Sequence, residues 1–290
     1  MPLVFAAISP HPPIIIKEIG GAETKKVKKT ITAIQRLATF LAEKEPETLI
    51  VISPHGLVYP DRMNICGMEN LAGDFGQFGA PDVTFKFKNN LELAQKISES
   101  GQKENIKTLL YENGEKTFEL DHGTLVPLYF LTQKLTRPIK ILPIAYSFMD
   151  FKTHFHFGEI LSSILQPLNS NVGIIASGDL SHRLLPQSYS GYTPAGKKFD
   201  TELITAIKEK DIDKILQFDP EFIEEAGECG LRSILILLGA INDLQYKSEV
   251  LSYEGPFGVG YLVANFQILN PKQYLNHKFK SFKHCLEFRI

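Results

Sequence analysis

Eight histidines occur in the chain, and four of them share one kind of setting. Ser9-Pro10-His11 and Ser53-Pro54-His55 are the same tripeptide, each directly after a short apolar run. His182 follows a third such run through Ser177-Gly178-Asp179-Leu180-Ser181, and His122 lies in Asp121-His122-Gly123-Thr124. A neutral imidazole is the commonest metal ligand among side chains that titrate near neutrality. Proline fixes its own φ and so stiffens the backbone entering the histidine that follows. The repeat therefore points to one mononuclear metal ion between His11 and His55, with His122 and His182 close by. The alternative for each histidine taken singly is a turn cap bonded to nearby backbone. His154 and His156 stand two residues apart in a helical stretch, where side chains do not share a face, so both read as structural. His277 and His284 fall in a basic tail and read as solvated.

The elements that must carry these residues are legible as well. Leu3–Ile8, Leu49–Ser53 and Val172–Ala176 are continuous apolar runs of buried-strand length, each stopped by a Ser-Pro or Ser-Gly signal. Further strands are expected at Met63–Met68, Val83–Phe87, Ile106–Tyr111 and Ile139–Tyr146, the first two around a Gly-rich loop. Ile31, Ile34, Leu37, Ala38 and Leu41 repeat with the helical period, predicting a helix over Glu23–Lys44. Helices are also expected at Leu91–Ser100, Thr124–Leu135, His154–Leu165, Pro194–Leu216, Glu221–Ala226 and Leu231–Asn242. Tyr246–Tyr253 and Gly258–Gln267 form an antiparallel pair. Strands alternating with helices predict a single α/β domain, three-layer α/β/α, with a largely parallel, mixed central sheet. In such sheets ligands bind beyond the carboxyl ends of the strands, which is where the histidines fall.

Composition narrows the function classes. A 290-residue chain with 43% hydrophobic and 22% charged residues is of globular type. A net charge of −2 gives no footprint for nucleic acid. The run Lys25-Lys26-Val27-Lys28-Lys29 reads as a solvated helix face. Cys66, Cys229 and Cys285 are too few and scattered for a disulfide framework. No signal-peptide pattern opens the chain, and its apolar runs fall short of the roughly 20 residues of a membrane span. A cytoplasmic protein without membrane or nucleic-acid partners is expected.

The motifs Ile8-Ser-Pro-His-Pro-Pro, Ser53-Pro-His-Gly, Leu120-Asp-His-Gly-Thr, Ser177-Gly-Asp-Leu-Ser-His, Gly227-Glu-Cys-Gly-Leu-Arg and Tyr253-Glu-Gly-Pro-Phe-Gly-Val-Gly-Tyr follow in order along nearly the whole chain. In that order they resemble the class III extradiol dioxygenase superfamily in its catalytic B-subunit form, closest to the Memo-like branch known as AmmeMemoRadiSam system protein B. The resemblance implies a metal on His11 and His55, His182 as acid/base residue, and His122 as the residue that steadies substrate charge. Ring-opening members complete a two-histidine, one-carboxylate site for Fe(II). Here an ungapped match, counted back from Leu238-Gly239-Ala240, puts Cys229 at the carboxylate position, and a shift of one residue would put Glu228 there. Thiolate would favour iron, copper or zinc; a buried core cysteine is the structural alternative for Cys229.

Three functions follow from the resemblance and the histidines. One is a non-haem Fe(II) dioxygenase opening a small aromatic diol with O2. Another is a Memo-like metal-binding component of a protein-modification system, which implies a radical-SAM protein and a companion domain acting in trans. The last is a metal-dependent hydrolase, with the ion activating water.

Overall fold

The computed structural model describes residues 2–269. The expectations for His277, His284, Cys285 and the basic tail lie outside the described residues. Among the described residues eleven strands form one sheet: β1 (Leu3–Ser9), β2 (Thr48–Ser53), β3 (Met63–Cys66), β4 (Asn70–Phe75), β5 (Ala80–Lys88), β6 (Thr108–Tyr111), β7 (Phe118–Glu119), β8 (Lys140–Ala145), β9 (Val172–Ser177), β10 (Tyr246–Glu254) and β11 (Tyr261–Ile268). The helices are α1 (Lys17–Gly20), α2 (Lys28–Lys44), α3 (Leu91–Lys103), α4 (His122–Leu131), α5 (Phe151–Leu165), α6 (Pro194–Glu209), α7 (Ile212–Leu216), α8 (Pro220–Ala226) and α9 (Leu231–Ile241). Strand order is β10-β11-β1-β9-β2-β8-β5-β4-β7, with β3 pairing β8 and β6. At its centre β1, β9, β2 and β8 run parallel, with Ser9 opposite Ser177 and Ile52 opposite Ala176. The hairpin β10–β11 joins antiparallel to β1, so the expected mixed, mostly parallel sheet is what forms.

Two apolar clusters explain why the central strands read as unbroken apolar runs. Ile8, Ile50, Ile52, Ile174 and Ala176 point to one face, against Phe157, Phe199, Leu235 and Leu238 of α5, α6 and α9. Ala7, Leu49, Val51 and Ile175 point to the other, against Ile34, Leu37 and Leu41 of α2 and Leu125 and Leu128 of α4. Alternate residues serve opposite faces, so a strand covered on both sides carries no polar alternation. Among the described residues no helix is long and apolar enough to cross a membrane.

Departures from the expected elements have local causes. The α-helix expected from Glu23 starts at Lys28, after a 3-10 turn over Gly21–Val27. The Gly-rich stretch holds a strand, Asn70–Phe75, whose Gly73 lies against Leu125 and Leu120. The helix expected over Pro194–Leu216 is two, because Lys210 adopts a left-handed conformation (φ 60°) and the Asp211 side chain caps the second piece. Helices α4 and α5 start earlier than their apolar periods suggest, at the caps Asp121 and Asp150, whose side chains accept the Thr124 and Thr153 N–H groups.

Candidate metal centre

Because β1, β9 and β2 are consecutive, the residues that follow them meet over one edge of the sheet. His11 leaves β1, His55 leaves β2, and His122 opens α4. Their ligand-capable nitrogens lie within 4.8 Å of one another. His11 Nε2 and His55 Nε2 stand 3.0 Å apart. The His122 ring stacks on His55 at a centroid distance of 4.2 Å, with Phe78 edge-on to it at 5.4 Å. His11 is buried, whereas His55 is exposed.

Each ring is held by named groups. Ser177 Oγ lies 3.0 Å from His11 Nδ1, and the His11 N–H donates to Asp179 Oδ1 at 3.0 Å. Ser53 Oγ accepts the His55 N–H at 3.1 Å and donates to Asp121, the residue before His122. His182 lies 2.8 Å from the Gly227 carbonyl through Nδ1. A carbonyl only accepts, so Nδ1 carries the proton and Nε2 keeps a free lone pair.

Burial dominates the electrostatics. It holds His11 well below the ordinary imidazole range, with His55, His122 and His182 adding to the effect. His55, though exposed as a residue, has its ring packed against His122 and His11, and loss of water there first and His122 next push it down to about 4. His122 and His182 are lowered by burial as well, against Asp121 and the Gly227 carbonyl respectively. The cluster is therefore neutral at pH 7, with lone pairs available. Two imidazole nitrogens each about 2.0–2.1 Å from one ion stand roughly 3–3.4 Å apart. The 3.0 Å separation of the His11 and His55 nitrogens fits that spacing.

The two candidates for a third ligand are placed differently. Cys229 Sγ lies 3.6 Å from His11 Nε2 and accepts the Asp179 N–H at 3.3 Å. Desolvation raises its thiol well above the ordinary range, with Asp179 and Glu228 adding to this, so it ionises only beside a cation. Glu228 instead turns to the start of α9, where its Oε2 accepts the Leu231 N–H. Burial pushes that carboxyl up to about 7.

Outside the cluster, His154 is buried, its Nδ1 donating to the Asp150 carbonyl at 2.7 Å and its Nε2 turned to Ser147, whose N–H and hydroxyl lie 3.4 Å away, and His156 is exposed beside Glu159. Ser53, Ser177, Asp121 and Asp179 are the residues that motif reading quoted without giving them work. The signal available for Asp121 was its position as a helix cap; Ser177 and Asp179 act on His11 from 166 and 168 residues away, and no local pattern carries that.

A three-layer α/β protein with a cluster of histidines beyond the carboxyl ends of parallel strands is the class that fold and site define. The chain belongs to the LigB family, described as the catalytic LigB subunit of aromatic ring-opening dioxygenase, which it matches over residues 5–264. A Clostridium acetobutylicum protein whose name states no activity is 38% identical over 263 residues, 89% of this chain and 56% of that protein. The chain thus spans little more than half of that relative. The 3,4-dihydroxyphenylacetate 2,3-dioxygenase of Escherichia coli is 21% identical over 86% of this chain and 94% of its own length. A MEMO1 family protein of Methanosarcina mazei is 29% identical over 43% of each chain. The crystal structure of an uncharacterized Escherichia coli K12 protein shares the fold, with a TM-score of 0.61 at 17% identity over 90% of this chain and 99% of that one.

Proposed function

We propose that the protein is a mononuclear metal protein of thiolate type, in which His11, His55 and Cys229 hold the ion and His122 and His182 stand beside it. The observation that carries this reading is the placement of the Cys229 sulfur 3.6 Å from His11 Nε2 while Glu228 caps α9. Iron(II) is the first candidate, and copper or zinc the next, since a thiolate with two imidazoles suits all three. Such an ion supplies Lewis-acid chemistry and, where it is iron or copper, electron transfer. The protein's own contribution is positional. His182 keeps its Nδ1 proton on Gly227 and offers Nε2 as a base, while burial keeps it and His122 uncharged at pH 7. In this reading the protein is a Memo-like component rather than a ring-opening enzyme, and it works in the cytoplasm with a companion domain and a radical-SAM protein.

A second reading, opening of a small aromatic diol with O2, is favoured by the match to a ring-opening dioxygenase along 94% of its length. It needs a carboxylate at the metal, and Glu228 would have to leave the α9 N-terminus to provide one. Metal analysis after anaerobic purification separates the two. One equivalent of metal lost in Cys229→Ser and kept in Glu228→Gln, with no catechol-dependent oxygen uptake, is the expected result. The opposite pattern with oxygen uptake would establish ring opening, and equal metal in both variants, His11→Ala and the parent would sink the metal reading itself.

A further inference from the structure

We infer that Ser177 is the positioning residue that fixes the His11 tautomer, and that it does so through a helix carbonyl which Pro127 leaves unpaired. The inference rests on the proposed metal role of His11 for its consequence, but not for its geometry. In α4 the N–H four residues after Gly123 would normally bond the Gly123 carbonyl. Residue 127 is proline and has no N–H. The Gly123 oxygen is instead 2.5 Å from Ser177 Oγ, at the end of β9. Two oxygens that close require a proton between them, and the carbonyl has none, so the hydroxyl donates to Gly123.

The serine proton being committed, its oxygen faces His11 Nδ1 at 3.0 Å only as an acceptor. His11 Nδ1 must then carry its ring's proton. The Nε2 lone pair is left facing His55 Nε2 and Cys229 Sγ, the two groups with which it would share an ion. The same hydroxyl ties β9 to the first turn of α4, where His122 sits, so one side chain sets the tautomer of one histidine and the seating of another. On its other side the same turn sits close to the end of β2, where a Cβ on Gly123 would lie 2.4 Å from Ser53 Oγ and 3.3 Å from the His55 ring. Orienting partners of this kind typically change metal affinity by about 10–100-fold when lost.

Long-range nitrogen–proton NMR of histidine-labelled, metal-free protein tests this directly, with the His11 signals identified by their loss in His11→Gln. The parent is expected to show His11 protonated at Nδ1 and bare at Nε2. Ser177→Ala should convert it to a mixture of tautomers and weaken binding of Fe(II) or Zn2+, titrated without oxygen, by about 10–100-fold. A parent His11 protonated at Nε2 overturns the inference even if the variant fails to fold. So does a variant that keeps a single Nδ1–H tautomer, or one with mixed tautomers and unchanged affinity. A parent with the expected tautomer that binds neither metal would end the proposed function while leaving the Ser177 assignment standing.

Discussion

At the scale of single residues, the proposed roles separate groups that would face an ion from groups that would handle protons. His11 and Cys229 meet through ring nitrogen and sulfur, whereas His182 is turned so that its Nδ1 is spent on Gly227. His182→Gln is therefore expected to retain the parent's metal content and to lower any turnover by about 10²–10⁴-fold, the usual contribution of a positioned acid/base group. Loss of metal in that variant would show that His182 ligates. The repeated Ser-Pro-His made His11 and His55 legible from the sequence, because identical tripeptides after two buried strands point the same way in a parallel sheet. The choice between Cys229 and Glu228 was not legible. Adjacent residues at the start of a helix point in different directions, and only the capping bond from Leu231 to Glu228 shows which is turned away. His122, which the resemblance casts as the residue that steadies substrate charge, stacks on His55 and offers a nitrogen within 4.8 Å of those of His11 and His55.

At the scale of elements, the helices behind the site are positioned by contacts that a periodicity cannot express. Helices α5 and α9 touch backbone to backbone: a Cβ on Gly239 would lie 2.0 Å from the Phe155 carbonyl oxygen, and one on Gly158 would lie 2.1 Å from that of Ile236. Read locally, each glycine is a flaw in an apolar helix. Replacing it by alanine would gain about 1 kcal/mol of intrinsic helix propensity. In the fold the sign reverses. Gly239→Ala is expected to destabilise by at least about 1–3 kcal/mol, the range for overpacking a filled interior, because the clash is with main chain that has no rotamer to change. Urea unfolding measures it, and an unchanged or higher midpoint would mean that the two helices separate without cost. The element types were legible from apolar runs, caps and Pro-Gly signals. The short strands Asn70–Phe75 and Phe118–Glu119 were not, since their pairing with each other and with β5 is supplied by the sheet rather than by their own sequence.

At the scale of the molecule, stability in the metal-free protein depends on ionisable groups buried on opposing terms. His154 is fully buried in the β8–α5 corner, and burial pushes it down to about 4 from 6.5. The unfolded chain takes up that proton first as pH falls, so the stability His154 provides is complete above 6.5 and is lost as pH falls through about 4. Asp200 has the opposite sign. It accepts the Ser181 N–H and the Tyr253 hydroxyl, and burial raises it from 3.8 to about 7 despite those bonds and Lys197 nearby. The unfolded chain releases that proton first as pH rises, so its contribution is complete below 3.8 and is lost as pH rises through about 7. Over the same window the two groups cancel in part, and each should conceal the other in the parent. In the presence of chelator, His154→Gln is expected to become relatively more stable than the parent as pH is lowered from 7 to 4.5. Asp200→Asn, which keeps the shape of the protonated acid, should become relatively less stable over the same interval. Thermal melts at closely spaced pH values give both slopes. Parallel curves for parent and both variants would mean that neither group is perturbed by the fold, and slopes of the reverse sign would mean that the buried partners, rather than burial itself, govern their ionisation.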